Sequence, residues 1–173
     1  MLKAFGFDQR WLQWLHSFIS TPNFSILLNG IPSQPFNILR GLRQGDPILP
    51  FLFILATEGL GHLIKAHLSE GKLKGLKLWG PNIALTHQQF FDDILPFFQA
   101  SVGEIITILH ILEIFMVASG TIVNNEKSHV YFFNVINDSQ VFLERILGFC
   151  IGSFPMKYLG VPLCKTQLII AGW

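Results

Sequence analysis

Apolar residues recur at helical spacing from Phe7 to Ser20, placing Trp11, Trp14, Leu15 and Phe18 on one face behind Asp8, a suitable N-cap. Pro22 stops that helix. Two short β-type runs follow, Phe24 to Leu28 and Phe36 to Leu39, and Asn29 to Gln34 between them has hairpin-turn chemistry. Gly41 to Pro50 is rich in Gly and Pro and reads as a loop. Asp46-Pro47 at its end suits an N-cap followed by a first-turn proline. The next helix reaches about His67 and is apolar on nearly every side from Phe51 to Leu55, which predicts deep burial there. Gly71 to Lys77 reads as an exposed turn and strand, and Ile83 to Phe98 as two strands bent around Phe91-Asp92-Asp93. Gly103 to Ser119 has helical length, with Gly120 as its stop. A polar turn at Asn124 to Ser128 precedes a β-like run, His129 to Phe133. A helix near Asp138 to Phe149 and an extended run, Tyr158 to Leu163, complete the chain. Helices and hairpins in this order, without βαβ alternation, predict an α+β fold.

Composition sharpens this picture. Half of the 173 residues are hydrophobic, 17 of them Phe, and only 13% are charged, about half the usual share of roughly 25%. Such a chain either fills its interior unusually well or carries faces that pack against a larger protein. The net charge of +1 does not announce a nucleic-acid binder. The cations are unevenly placed, however: Lys65, Lys72, Lys74 and Lys77 fall close together, and Arg40 and Arg43 form a second pair. Clusters of this kind are ordinarily solvated surface. Cys150 and Cys164 fit neither a disulfide framework nor a zinc spacing, so a reduced intracellular compartment, nuclear or cytoplasmic, is expected, without secretion. The greasiest long stretch, Ile105 to Val123, contains His110, Glu113 and Gly120. A central Glu is costly in a spanning helix, so no membrane partner is expected.

The candidate chemistry lies in two places. Asp92-Asp93 puts two like charges at the tip of a hairpin, between Gln89-Phe90-Phe91 and Ile94-Leu95. Neighbouring carboxylates repel unless they are solvated or neutralised by a divalent cation, so the pair is either a solvated turn or a metal site. The second place is Arg40-Gly41-Leu42-Arg43-Gln44-Gly45-Asp46-Pro47. Its glycines allow close backbone approach to a ligand, its arginines can grip phosphate, and a helix begins just beyond.

That eight-residue string matches a signature of the reverse transcriptases of non-LTR retrotransposons, the long-interspersed-element type and plant-like, and Phe51-Leu52-Phe53-Ile54-Leu55 resembles the helix that follows it there. The resemblance continues in the family's order. Gly6-Phe7 with Trp11 and Trp14 is similar to the helix before the first palm hairpin, and Asn29-Gly30 with Pro32 to that hairpin's turn. His87 to Phe98 resembles the catalytic hairpin. Ser119-Gly120, Asn124 and Lys127-Ser128 resemble the next motif, and Tyr158-Leu159-Gly160-Val161-Pro162-Leu163 the primer-side motif.

The resemblance implies a partial right-hand polymerase palm spanning residues 1–173, with fingers and palm to about 133 and the end of the palm and start of the thumb beyond. By the same resemblance, Asp92 would bind the metal, Mg²⁺ or Mn²⁺, with Asp93 beside it as the second catalytic carboxylate. Gln44 and Gly45 would line the nucleotide and template pocket. Arg40 and Arg43 would contact phosphates or pair with Glu58 or Asp46. Lys127 would lie near the incoming triphosphate or be a solvated turn residue. Tyr158, Leu159 and Gly160 would hold the primer end, although Leu159 and Leu163 equally suit a core strand. RNA template and DNA primer are the implied partners.

Three departures from the family pattern point to an inactive piece. No Asp-bearing strand precedes the Phe7 helix, so the first catalytic strand is expected to be missing, and a further polypeptide would have to complete the palm. Phe91 stands where the family has a small residue. Pro96 lies inside the second hairpin strand, where it cannot donate a ladder hydrogen bond. The implied metal would then be weakly bound or absent. The expected geometry is a tight turn over Phe90 to Ile94 with Asp92 projecting towards Gln44 and Gly45. No Asp or Glu from outside residues 90–95 is expected near Asp92, and Asp46 is expected at a helix start, accepting backbone N–H bonds.

Overall fold

Asp8 opens the first helix as its position predicts: its backbone is extended, and its carboxylate accepts the Arg10 N–H at 2.8 Å. An orphan donor of the first turn is thereby satisfied. The computed structural model describes residues 2–3, 5–37, 45–77 and 84–165. They form two compact units, Met1–His62 and Leu63–Trp173.

In the first unit, helix α1 spans Gln9–Ser20 and closes on Thr21, whose N–H donates to the Ser17 carbonyl. Of its apolar face only Leu15 is buried; Trp11, Trp14 and Phe18 stand in solvent. Strand β1 (Asn23–Phe24) pairs antiparallel with β4 (Phe36–Asn37), and β2 (Leu27–Leu28) with β3 (Ile31–Pro32). The predicted turn is there: Asn29 and Gly30 both have positive φ, 52° and 82°, as a two-residue hairpin loop of type I′ requires. Between the two pairs, Ile26 and Ser33 hold the ribbon together. The Ile26 N–H donates to the Ser33 hydroxyl at 3.0 Å, and the Ser33 N–H donates to the Ile26 carbonyl at 2.8 Å.

Helix α2 spans Leu49–Ser69. Deep burial over Phe51 to Leu55 is not what forms. Leu52 is buried, whereas Phe51 is 66% exposed and Ile54 58%. A helix that is apolar all round does not say which stripe will pack. Here the packed stripe is Leu52, Leu60, Gly61 and Ile64, most of it lying in the second half of the helix.

The second unit holds the better-formed core. After α2, the buried Leu73 and Gly75 lead into β5 (Leu76–Lys77), which pairs with β6 (Ala84–Leu85). Next comes the hairpin of β7 (His87–Phe90) and β8 (Asp93–Pro96). Helix α3 spans Val102–Ser119, one residue earlier than predicted, because Ser101 caps it and accepts the Glu104 N–H at 3.3 Å. The Glu104 carboxylate, on a residue only 5% exposed, reaches back to accept the Gln99 N–H at 2.9 Å. This resembles a capping box, the Ser-x-x-Glu pattern. The helix ends on Gly120 at φ 73°, as predicted.

Ile105 of α3 packs with Phe132, Leu143 and Leu147, the last two from helix α4 (Asn137–Leu147). Gly148 stops α4 in a left-handed conformation, so Phe149 leaves the helix that was expected to contain it and packs against the same core. Helix α4 is the crossover between two parallel strands, β9 (His129–Val130) and β10 (Cys150–Ile151). The run Tyr158 to Leu163 is not one extended segment. It folds at Leu159 (φ 51°) and Gly160 (φ 85°) into a hairpin of β11 (Met156–Tyr158) and β12 (Val161–Leu163). Every sheet among the described residues has two strands, which with four helices is a mixed arrangement compatible with α+β. Helices α2 and α3 are each long and apolar enough to cross a membrane by length and composition. In α3, however, Glu104 is engaged by Gln99, and the exposed side carries His110 and Glu113 at 4.0 Å from one another.

Candidate active site

The β7–β8 hairpin is built by its register. His87 pairs with Pro96, Gln88 with Leu95, Gln89 with Ile94 and Phe90 with Asp93, leaving a two-residue loop, Phe91-Asp92. The tight turn expected over Phe90 to Ile94 therefore forms. The Phe97 N–H donates to the Thr86 carbonyl at 2.8 Å, so Thr86–Phe97 is a hydrogen-bonded pair. Antiparallel ladders alternate bonded and non-bonded pairs, which puts Pro96 opposite His87 in a non-bonded one. Pro96 thus costs the ladder no hydrogen bond.

Phe91, by contrast, is under real constraint. Its φ is 53°, and a bulky side chain is a genuine outlier in the left-handed region. The bend sets Asp92 and Asp93 side by side at the tip, both exposed, flanked by the exposed rings of Phe90 and Phe91.

Two buried polar atoms lie in this region without a hydrogen-bonding protein partner among the described residues, Gln89 Nε2 and Tyr158 Oη. Burial pushes the Tyr158 phenol above its ordinary range, and the Asp93 carboxylate pushes it further in the same direction. Asp93 and Tyr158 are therefore electrostatically coupled. Sequence reading missed this coupling, since nothing in a separation of this length signals it. Next to Tyr158, Leu159 and Gly160 form the exposed β11–β12 turn.

The other candidate residues are placed as follows. Lys127 is exposed in a turn organised by Asn124, whose side-chain oxygen accepts the Glu126 N–H at 3.0 Å and the Lys127 N–H at 3.1 Å. In the first unit, Gly45 adopts φ 87°, which favours glycine there. Asp46 Oδ1 accepts the Ile48 N–H at 3.0 Å at the start of α2, the role expected of it. Arg40, Arg43 and Gln44 lie outside the described residues.

Oxygen-only donors such as Asp92 and Asp93 suit Mg²⁺ or Mn²⁺. Magnesium is commonly held by one or two carboxylates, with phosphates and waters completing the shell. The residues at the tip fit one such ion on those terms. No group of three His, Cys, Asp or Glu side chains converges among the described residues.

The sequence model of the family described as "Reverse transcriptase (RNA-dependent DNA polymerase)" matches residues 1–163. The chain is also similar to an uncharacterised mitochondrial protein of Arabidopsis thaliana, 34% identical over 110 residues, which is 61% of this chain and 86% of that protein.

Proposed function

The chain belongs to the reverse transcriptase (RNA-dependent DNA polymerase) family, and from that premise we propose that the β7–β8 tip is the metal-binding end of a polymerase palm of the non-LTR retrotransposon type. The observation that carries this reading is the two-residue loop that holds Asp92 and Asp93 together in solvent at the end of a regular hairpin. The reaction is attack of a primer 3′ hydroxyl on the α-phosphate of a deoxynucleoside triphosphate, with pyrophosphate leaving. Bound divalent ions supply charge stabilisation at the attacking and leaving oxygens.

In this reading Asp92 is the metal ligand, and Asp93 adds negative charge beside it and against Tyr158. Arg40, Arg43 and Lys127 hold phosphates, Gln44 and Gly45 border the nucleotide, and Tyr158, Leu159 and Gly160 border the primer. The carboxylate set is one short for two metals. Two-metal displacement draws on shared carboxylates from separate strands, whereas Asp92 and Asp93 lie on one hairpin. A carboxylate from a further polypeptide would complete it.

The chain by itself is therefore expected not to extend a primer in Mg²⁺ or Mn²⁺. Incorporation of labelled deoxynucleotide that vanishes in Asp92→Ala would overturn the incompleteness and leave the site assignment standing. Weak Mn²⁺ binding in the presence of a deoxynucleoside triphosphate, lost in Asp92→Ala, is the expected signature of the site. Equal Mn²⁺ binding by both proteins would remove Asp92 from it.

The short carboxylate set also favours a second reading, a palm that holds an RNA–DNA hybrid or a partner protein without chemistry. Salt-dependent hybrid binding without incorporation would select it. An intracellular site goes with either reading, and the Arabidopsis relative, a mitochondrial protein by its name, adds the organelle to the nucleus and cytoplasm as places to look.

A further inference from the structure

We propose that the end of α2 and the segment leading into β5 form a second nucleic-acid contact, a phosphate-binding patch made by Lys65, Lys74 and Lys77 with Lys72 at its margin. This goes beyond the assignment of the Asp92–Asp93 tip and concerns backbone binding alone. Four of the chain's twelve Lys and Arg residues fall within residues 65–77, against one acid, Glu70. That segment alone carries +3 (four lysines less Glu70) in a chain whose net charge is +1, so the remainder sums to −2.

All four lysines are exposed, and the segment that carries them is fixed. The N–H groups of Lys72 and Leu73 both donate to the His67 carbonyl, at 2.9 and 3.2 Å. Leu73 is buried, and at Gly75 a Cβ would come within 2.9 Å of the Leu85 carbonyl oxygen, so the backbone there is pressed against β6. Burying Leu73 and Gly75 turns Lys72 and Lys74 outward on either side.

Ion pairing does not explain the cluster. Lys72 is paired with Glu70 at 2.7 Å, a contact that lowers the Glu70 pKa. Lys65, Lys74 and Lys77 have no ion-pair partner among the described residues. The C-terminal dipole of α2 would account for cations in or just after its last turn. It does not account for Lys74 and Lys77, which lie beyond it. Unpaired ammonium groups on ordered backbone gain by meeting phosphates, because binding releases condensed counterions. A nucleic-acid backbone is the partner this fits in a chain of this polymerase family.

The test uses the full chain and a short labelled DNA duplex, with no nucleotide or primer extension. Polymerase inactivity would therefore leave the proposal standing. The slope of log affinity against log salt is compared for the parent and for Lys65→Gln/Lys74→Gln/Lys77→Gln, which spares the Lys72–Glu70 pair. The slope is expected to become shallower by about 0.9 for each lysine, up to about 2.7 in all. A fourfold rise in salt would then cost the variant about 40-fold less affinity than it costs the parent. The corresponding triple Lys→Arg variant should keep the parent slope, and bound duplex should protect Lys65, Lys74 and Lys77 of the parent from acetylation. An unchanged slope, no protection, or binding to anionic lipid vesicles but not to duplex would overturn the patch without touching the family assignment.

Discussion

The Asp93 carboxylate and the burial of the Tyr158 hydroxyl together hold the Tyr158 phenol above its ordinary pKa range. Burial is the larger cause and the carboxylate the smaller. The folded state thus retains a proton that the unfolded chain gives up near pH 10. The sign of the linkage follows. Stability from this group is fully present below about pH 10 and is lost as pH rises from there through the raised folded value. An alkaline titration followed by phenolate absorbance should show one tyrosine, absent in Tyr158→Phe, ionising late. Asp93→Asn should bring it part of the way back. A Tyr158 that ionises at the same pH with and without Asp93 would dissolve the link between the two hairpins.

Phe91 gives a backbone prediction. A residue with a Cβ in the left-handed region costs roughly 1–2 kcal/mol, and glycine avoids that cost at some expense in chain entropy. With φ at 53°, Phe91→Gly should be more stable than Phe91→Ala by about 1 kcal/mol, since alanine keeps the strain and loses the ring. Thermal melts of the two variants measure the difference. Equal stabilities would show that the turn relaxes at no cost and that the ring, not the backbone, decides the position.

The parts of this fold that could be read in advance are those whose cause is local. Asp8, Asn29-Gly30, Asp46 and Gly120 act through their own backbone and one or two neighbours, and each stands where its chemistry placed it. The Ser101–Glu104 cap is equally local, and Ser-x-x-Glu ahead of an apolar run signals it. Burial was less legible. In α2 the apolar residues surround the helix, so periodicity could not choose between Phe51 and Leu52. Leu159 hid a turn, because a branched side chain at positive φ runs against propensity and only the following Gly160 hinted at it. The candidate site was legible at its carboxylates and illegible at its edge. Tyr158 could be singled out as a residue, but its coupling to Asp93 is a matter of packing between distant segments.

Packing of that kind makes the last prediction. Gly152 sits beside β10, its N–H donating to the Val130 carbonyl at 2.8 Å, and a Cβ on it would fall within 3.0 Å of Tyr131 Cδ1 and still closer to the rest of that edge of the ring. The ring has little freedom to yield, since it stacks edge-on with Phe154 at 5.5 Å and lies 6.4 Å from His129. Gly152→Ala should therefore destabilise the second unit by about 1–3 kcal/mol, the usual cost of overpacking. The cause is steric and removable. In a Tyr131→Ala background the same substitution should cost little, giving a coupling of at least about 1 kcal/mol in a double-mutant cycle. Denaturant melts of the four proteins supply the cycle. If Gly152→Ala costs the same in both backgrounds, the requirement for glycine lies in the backbone, and the contact with Tyr131 is incidental.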